Sequence, residues 1–408
     1  MRLSNHCRML QADKSEARRL KVLFLASWYP NMEHPVSGIF VKRHAIAVSN
    51  YCDVAVLYVH LGDTEDETDV NRENNLLEVR VYRKKHRYNN KWMKYFYDYG
   101  QFYFDFLRAG LVGYRIIEKE FGRPDLAHVN VILYSGLMGL ALKLLRGIPY
   151  VVTEHWAGYL KEDGTFDRRS SVGKYIIRAV GNRALALMPV SCSLRDAMRA
   201  CGIDNQFFVV PNVVDVHSGS TEPAIHGDKN IIIHISLLKD DVKNVSGIIE
   251  AVRILARKRT DFELHLVGDG NDRKRLEDRA SNYGLLDDVI YFHGMVDADK
   301  VEKFIQGSDF SVINSNFETF SVSAAESLTC GKPVIATKCG GPEEFVDDKC
   351  GILVEKNDVE GLARAIEYML DNYESYDSKE IAKYAKSRFS SLVVGKMIYD
   401  VYKIVLNR

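Results

Sequence analysis

The chain has 408 residues, 46% of them hydrophobic and 27% charged, and its 55 basic and 55 acidic side chains leave a formal net charge of zero. That length admits two or three domains with cores of their own, and that composition excludes an intrinsically disordered or membrane-embedded chain. With no net charge, nothing global favours nucleic acid or an acidic partner, and electrostatic recognition has to be local.

Residues 1–20 (MRLSNHCRMLQADKSEARRL) carry positive charge but no apolar segment of a secretory signal, so a disordered extension is expected. Residues 21–27 (KVLFLAS) form a continuous apolar run of strand length, as a buried parallel strand does. A loop with Pro30, Pro35 and Gly38 follows and leads into a helix over 39–49. Residues 54–60 and 77–82 read as strands, with the acidic stretch 63–69 between them as a solvated turn. Residues 83–106 combine a basic cluster with a dense run of aromatics, and two readings stay open. One is an interfacial segment making peripheral contact with an anionic membrane. The other is a helix that packs its aromatics inward and leaves its lysines solvated.

A strand over 125–131 and a helix over 135–145 come next, the helix ended by Gly147 and Pro149. The stretch 131–142 is the longest apolar run and falls short of the ~20 residues needed to cross a bilayer, so no transmembrane helix is expected. In 150–159 (YVVTEHWAGY) a β-branched strand carries Glu154 and His155 at its carboxyl end, where open α/β sheets place their ligands. His128 has a weaker claim to the same site and reads better as a buried, satisfied histidine. Residues 185–190 are a strand and 191–201 a helix, and a polar stretch over 217–229 marks the domain boundary. The seven cysteines (Cys7, Cys52, Cys192, Cys201, Cys330, Cys339, Cys350) form no C-x-x-C pair, which suits reduced thiols in a cytoplasmic protein.

The second series opens with a buried strand over 230–237. A strand over 263–267 enters the turn Gly268-Asp269-Gly270, which lacks the third glycine of a dinucleotide fingerprint. Residues 289–292 precede Gly294, and the strand 310–313 delivers the chain to 314–333, NSNFETFSVSAAESLTCGKP. There Glu318 and Glu326 are separated by seven small, hydroxyl or apolar residues in what reads as a loop entering a helix. The spacing of Ser323 and Glu326 predicts a capping box, and Gly331 and Pro333 a helix end. Such a helix start presents free N–H groups to an anion such as a diphosphate, and flanking carboxylates accept hydrogen bonds from sugar or ribose hydroxyls. Apolar residues at helical spacing over 392–405 predict a final helix.

The Glu318/Glu326 pair, followed by Gly331-Lys332-Pro333 and then Gly340-Gly341-Pro342-Glu343-Glu344, resembles the retaining nucleotide-sugar glycosyltransferases of family 4, also called glycosyl transferases group 1. The resemblance runs from residue 21 to the C-terminus, more strongly in the second half. It implies the GT-B fold, an α/β architecture of two Rossmann-like doubly wound domains facing each other across a cleft. The acceptor domain would span 21–216, the linker 217–229 and the donor domain 230–388, with a helix in 389–408 crossing back. The implied activity is hexosyl transfer from a UDP- or GDP-linked sugar to a hydroxyl of a saccharide or lipid-linked saccharide, with retention. It implies no metal or other cofactor, no nucleic-acid partner, and a cytoplasmic setting at the inner membrane face in cell-surface polysaccharide synthesis.

By the same resemblance His155 lies near the anomeric carbon, Glu318 grips the donor sugar and Lys243 holds the diphosphate, as the catalytic set. Gly38, Gly268, Gly294, Thr319, Phe320, Ser321, Glu326 and Glu344 would touch the donor, Glu326 at the ribose. Residues 207–215 (FFVVPNVVD) resemble the family's strand and P-N-x-x-D element, in which Asn212 and Asp215 would fix the crossing between domains. The chain departs from the family at Leu237 or Leu238, where an arginine on the diphosphate is expected. Lys239 is the nearest substitute, although an ammonium does not reproduce a guanidinium fork. Ser37 also stands before Gly38 where two adjacent glycines are common. A dehydrogenase would need a full G-x-G-x-x-G within 21–40, which is absent. An epimerase of similar fold should not carry both glutamate motifs, and a non-catalytic binding protein is the alternative opened by the missing arginine.

Overall fold

The computed structural model describes residues 18–63, 65–73, 75–85, 100–216 and 229–407. The apolar run after residue 20 becomes β1 (Lys21–Ala26), from which a sheet grows both ways. On one side β1 pairs in parallel with β2 (Asp53–Gly62); β3 (Glu67–Glu73) is the antiparallel edge of β4 (Leu76–Lys84), which pairs with β2. On the other side β5 (Leu126–Asn130), β6 (Tyr150–Glu154) and β7 (Leu187–Pro189) follow in parallel. Helices α1 (Ile39–Ser49), α2 (Phe102–Glu120), α3 (Ser135–Arg146), α4 (Ser171–Arg183) and α5 (Cys192–Ala200) connect them.

Two expectations for this half are corrected. Part of the acidic stretch 63–69 is strand, because an edge strand needs only its backbone paired and tolerates polar side chains; Asp69 meets Arg80 of β4 at 2.8 Å. The strand expected ahead of the P-N-x-x-D element in 207–215 is reduced to a bridge and two backbone bonds along β7. Phe208 and Val210 donate to the carbonyls of Leu187 and Pro189 at 2.9 and 3.0 Å, and Pro211, having no N–H, ends the pairing. Of the aromatic segment 83–106, residues 86–99 lie outside the described residues. Phe106 is buried in the first core, and the Phe102, Tyr103 and Phe106 rings pack around Tyr134. Among the described residues no helix is long and apolar enough to cross a membrane.

The second sheet is wholly parallel, in the order β10 (Ile290–Gly294), β9 (Phe262–Val267), β8 (Asn230–Ile235), β11 (Phe310–Ile313), β12 (Val334–Thr337), β13 (Gly351–Val354). Its helices begin with a short α6 (Asp240–Lys243) and α7 (Val245–Leu255). They continue with α8 (Arg273–Asn282), α9 (Ala298–Gln306), α10 (Val322–Thr329), α11 (Val359–Asn372) and α12 (Ser378–Phe389). Strand order reverses between β1 and β5 in the first sheet and between β8 and β11 in the second. In doubly wound sheets such reversals leave a ligand crevice at the strands' carboxyl ends.

The last helix, α13 (Ser391–Leu406), returns to the first domain. Its Val394, Ile398, Val401 and Tyr402 share one core with Val22, Phe24 and Val48. Asp215 fixes the crossing by accepting from the Ser391 N–H at 3.0 Å, and Val214 donates to the Phe389 carbonyl at 2.8 Å. Residues 1–17 of the expected extension and 217–228 of the expected linker lie outside the described residues.

Candidate functional site

A cleft of about 740 Å³ opens between the two sheets. The first domain supplies the loop after β1, Arg43, His155 and Asn212. The second supplies Ser236, Leu237, Lys243, Gly268, residues 318–323 and Glu326.

The loop after β1 is held by buried polar contacts. Tyr29 donates to Glu78, a fully buried carboxylate that also meets Arg80 at 2.7 Å and Lys42 at 3.4 Å. Asn31 donates to Tyr58 at 3.2 Å. Two cations and a phenol are what a buried carboxylate needs to stay where it is. Gly38 ends the loop at φ 64°, and a Cβ there would lie 2.3 Å from the Trp28 carbonyl carbon, so only glycine fits. Gly268 is similarly bound to its place across the cleft: its φ is 132° and a Cβ would meet the Ser236 carbonyl oxygen at 1.8 Å.

At the end of β6, Glu154 is fully buried and arranges the turn that carries His155. One carboxylate oxygen accepts from the His155 and Trp156 N–H groups, both at 2.9 Å; the other accepts from the Ile132 N–H at 3.0 Å and the Tyr159 hydroxyl at 3.3 Å. Burial pushes the Glu154 carboxyl up to about 7 against these four donors. Glu154→Gln keeps the shape but turns an NH₂ toward donors. It is expected to cost ~1–3 kcal/mol of stability and to lower transfer rates at least about 10-fold, read by thermal melting and by initial rates.

The His155 ring lies against Phe40 and His44, with centroids 4.4 and 5.4 Å away, and burial holds its pKa well below the ordinary histidine value. A neutral imidazole has one donor and one acceptor. Among the described residues neither nitrogen makes a well-formed hydrogen bond, although the Asn212 side chain is close by, and the Asn212 Oδ1 and Ser321 Oγ atoms on the same cleft also have no well-formed partner. Ser321 also sits at φ 73°, a strained conformation for a residue with a Cβ. Buried polar atoms are otherwise nearly always hydrogen-bonded, so these four, on three residues from both walls, suit a ligand rich in hydroxyls. Asn212 is therefore corrected: it faces the cleft and leaves the crossing to Asp215.

Lys243, closing α6, forms an ion pair with Glu318, which also accepts from Ser315 at 2.8 Å. The predicted capping box at Ser323 is absent. Helix α10 starts at Val322 with Ser321 at its N-cap and no side-chain cap, and Glu326 turns instead to Arg43, whose Nη1 donates to Oε1 at 3.0 Å. Thr319 and Phe320 line the cleft between the two glutamates.

Three expected donor contacts are placed elsewhere. Lys239 is off the cleft wall, half-exposed and 3.4 Å from Asp241. Gly294 supports the Gly268 turn, its carbonyl accepting the Gly268 N–H at 2.8 Å. Glu344 accepts from the Cys192 and Ser193 N–H groups, both at 2.9 Å, and so caps α5 across the domain junction, next to an apolar cavity of about 330 Å³ walled by Phe320, Phe345 and Phe389. His128 is fully buried between the Tyr402 and Thr153 hydroxyls, a satisfied core residue. Among the described residues, no three His, Cys, Asp or Glu side chains converge as a metal site. Arg43 is the cleft residue that sequence reasoning missed, since its partner is 283 positions away.

Comparison with known proteins follows the two sheets. The family model Glycosyltransferase Family 4 matches residues 47–218, and Glycosyl transferases group 1 matches 220–388. An uncharacterized glycosyltransferase of Methanocaldococcus jannaschii, MJ1178, is 28% identical over 301 residues, which are 72% of this chain and 80% of that one. Sucrose-phosphate synthase from Thermosynechococcus elongatus superposes with a TM-score of 0.76 at 18% identity, over 95% of this chain and 100% of the other. Anabaena Alr3699/HepE in complex with UDP superposes at 0.69 and 18% identity, over 94% and 100%.

Proposed function

The chain belongs to the GT-B glycosyltransferases of the group 1, family 4 type, which work with sugar-nucleotide donors, and from that premise we propose that it is a retaining hexosyltransferase acting on a saccharide or lipid-linked saccharide hydroxyl. The carrying observation is the cleft itself. One charge pair lies within its second-domain wall and another joins the two walls, and neutral polar groups face it from both.

In this reading the diphosphate lies between Lys243 and the uncapped first turn of α10, which stabilise the charge it gains on leaving. Glu318 accepts hydrogen bonds from the donor sugar and Glu326 from the ribose. His155, Asn212 and Ser321 meet sugar hydroxyls, each able to serve a group that both donates and accepts. The bond from the anomeric carbon to the β-phosphate oxygen breaks, and a bond to the acceptor oxygen forms. Among the described residues the carboxylates lining the cleft are Glu318 and Glu326, which in this reading the donor's sugar and ribose engage, so the departing phosphate is left to take the acceptor's proton on the same face, which gives retention. The diphosphate's charge is met by the protein's own cations rather than by a metal ion. The UDP complex of the HepE neighbour supports UDP as the first nucleotide to try, with GDP next. A cytoplasmic site of action, beside a membrane when the acceptor is lipid-linked, completes the proposal.

Proton NMR of the glycosylated product tests the stereochemistry. From an α-linked donor the anomeric coupling is expected to be that of an α-linkage, and a β-linked product would overturn the retaining reading.

A further inference from the structure

A nucleoside diphosphate brings two phosphates into this cleft, and the walls have to answer both. Among the described residues lining the cleft there are two permanent cations, Lys243 and Arg43, and two carboxylates, Glu318 and Glu326. Each cation is paired with one carboxylate, so the walls are formally neutral. Leu237 stands 58% exposed on the cleft wall and brings no charge, and Lys239 is held away by Asp241.

We propose that Arg43 is the second cation on the donor's diphosphate, contributed by the first domain and exchanged from Glu326 when the ribose engages that carboxylate. The inference rests on the donor reading above and adds to it a residue of the opposite domain. Ribose hydroxyls are hydrogen-bond donors, so they can replace the guanidinium at Glu326 without leaving a carboxylate unsatisfied. The displaced guanidinium then faces an anion, and Glu326 keeps hydrogen-bond donors in the ribose hydroxyls.

Two features of Arg43 suit the role. It lies one turn into α1, the helix that starts at the tightly held Gly38 and opens onto the cleft. Its guanidinium uses Nη1 for Glu326 and makes no other hydrogen bond with the described residues, so further donors of the fork are available to bridge carboxylate and phosphate. Because Arg43 belongs to one domain and Lys243 to the other, a diphosphate between them couples donor binding to domain closure. A nucleoside, which lacks the phosphates, would have only the competition at Glu326 to overcome.

The test is calorimetric affinity of UDP, GDP and ADP and of uridine, guanosine and adenosine for the full chain and for Arg43→Ala, Arg43→Gln and Arg43→Lys. For the base that binds, Arg43→Ala and Arg43→Gln are expected to weaken the diphosphate about 10-fold or more while the nucleoside holds or tightens, with Arg43→Lys between. The ratio of the two affinities is the readout, since a loss of folded protein would lower both equally. A ratio unchanged in both neutral variants would overturn the proposal while leaving the donor reading intact. Failure of every nucleoside diphosphate to bind the native chain would overturn the donor reading, and this inference with it.

Discussion

Lys243→Ala is expected to lower the rate of sugar transfer by about 10²–10³-fold, the scale seen when one preorganised group is removed from where charge develops in a transition state. The loss has two parts that can be separated. The leaving diphosphate loses a cation, and Glu318, only 12% exposed and paired with Lys243, is left as an uncompensated carboxylate beside it. That carboxylate repels the donor. The double variant Lys243→Ala/Glu318→Ala should therefore bind the nucleoside diphosphate more tightly than Lys243→Ala alone, although it transfers no faster. Calorimetry of the two variants and of Glu318→Ala closes the cycle. Strictly additive losses would show that the two side chains do not act on the same ligand.

Acid should destabilise the protein above the pH at which ordinary carboxylates titrate. His44 and His234 are fully buried and lowered by burial to about 4, and His128 and His155 are lowered well below the ordinary value by the same cause. A histidine whose folded pKa is depressed contributes stability above its unfolded value of about 6.5, and that contribution is lost as pH falls through the folded pKa. At about 1.4 kcal/mol per pKa unit, His44 and His234 alone account for ~3 kcal/mol each. Glu154 works the other way. Its pKa is raised to about 7, so its contribution is full below about 4.5 and declines as pH rises through 7. Four histidines outweigh one carboxylate, and the melting temperature is expected to fall steeply between pH 6.5 and 4. A melting temperature flat across that window would mean that these rings are not held neutral.

The parallel core was readable in advance because a strand covered on both faces needs continuous apolar sequence, as in KVLFLAS and NIIIHI. β3 was not, because an edge strand is specified by its partner's backbone and its own residues are polar. The site divided along a similar line. Lys243 closes a helix, His155 follows a strand end and Glu318 lies in the loop that leads into α10, positions that follow from the local pattern. Arg43 carries no local signal within its helix, and its meaning depends on a carboxylate in the other domain. Glu344 was misplaced for the converse reason. It stands two residues from Pro342 in a recognisable motif, but its carboxylate reaches across the junction to free N–H groups at the start of α5. Asn212 shows that a motif can locate a residue correctly and still leave its direction open.

The most direct test of the cleft as a transfer site is nucleotide release from UDP-, GDP- and ADP-sugars, with acceptor saccharides supplied, by the native chain and by Lys243→Ala. The account predicts release from one donor by the native chain and at least about a 100-fold loss in the variant. Equal release by both, or none from any donor by the native chain, would contradict it.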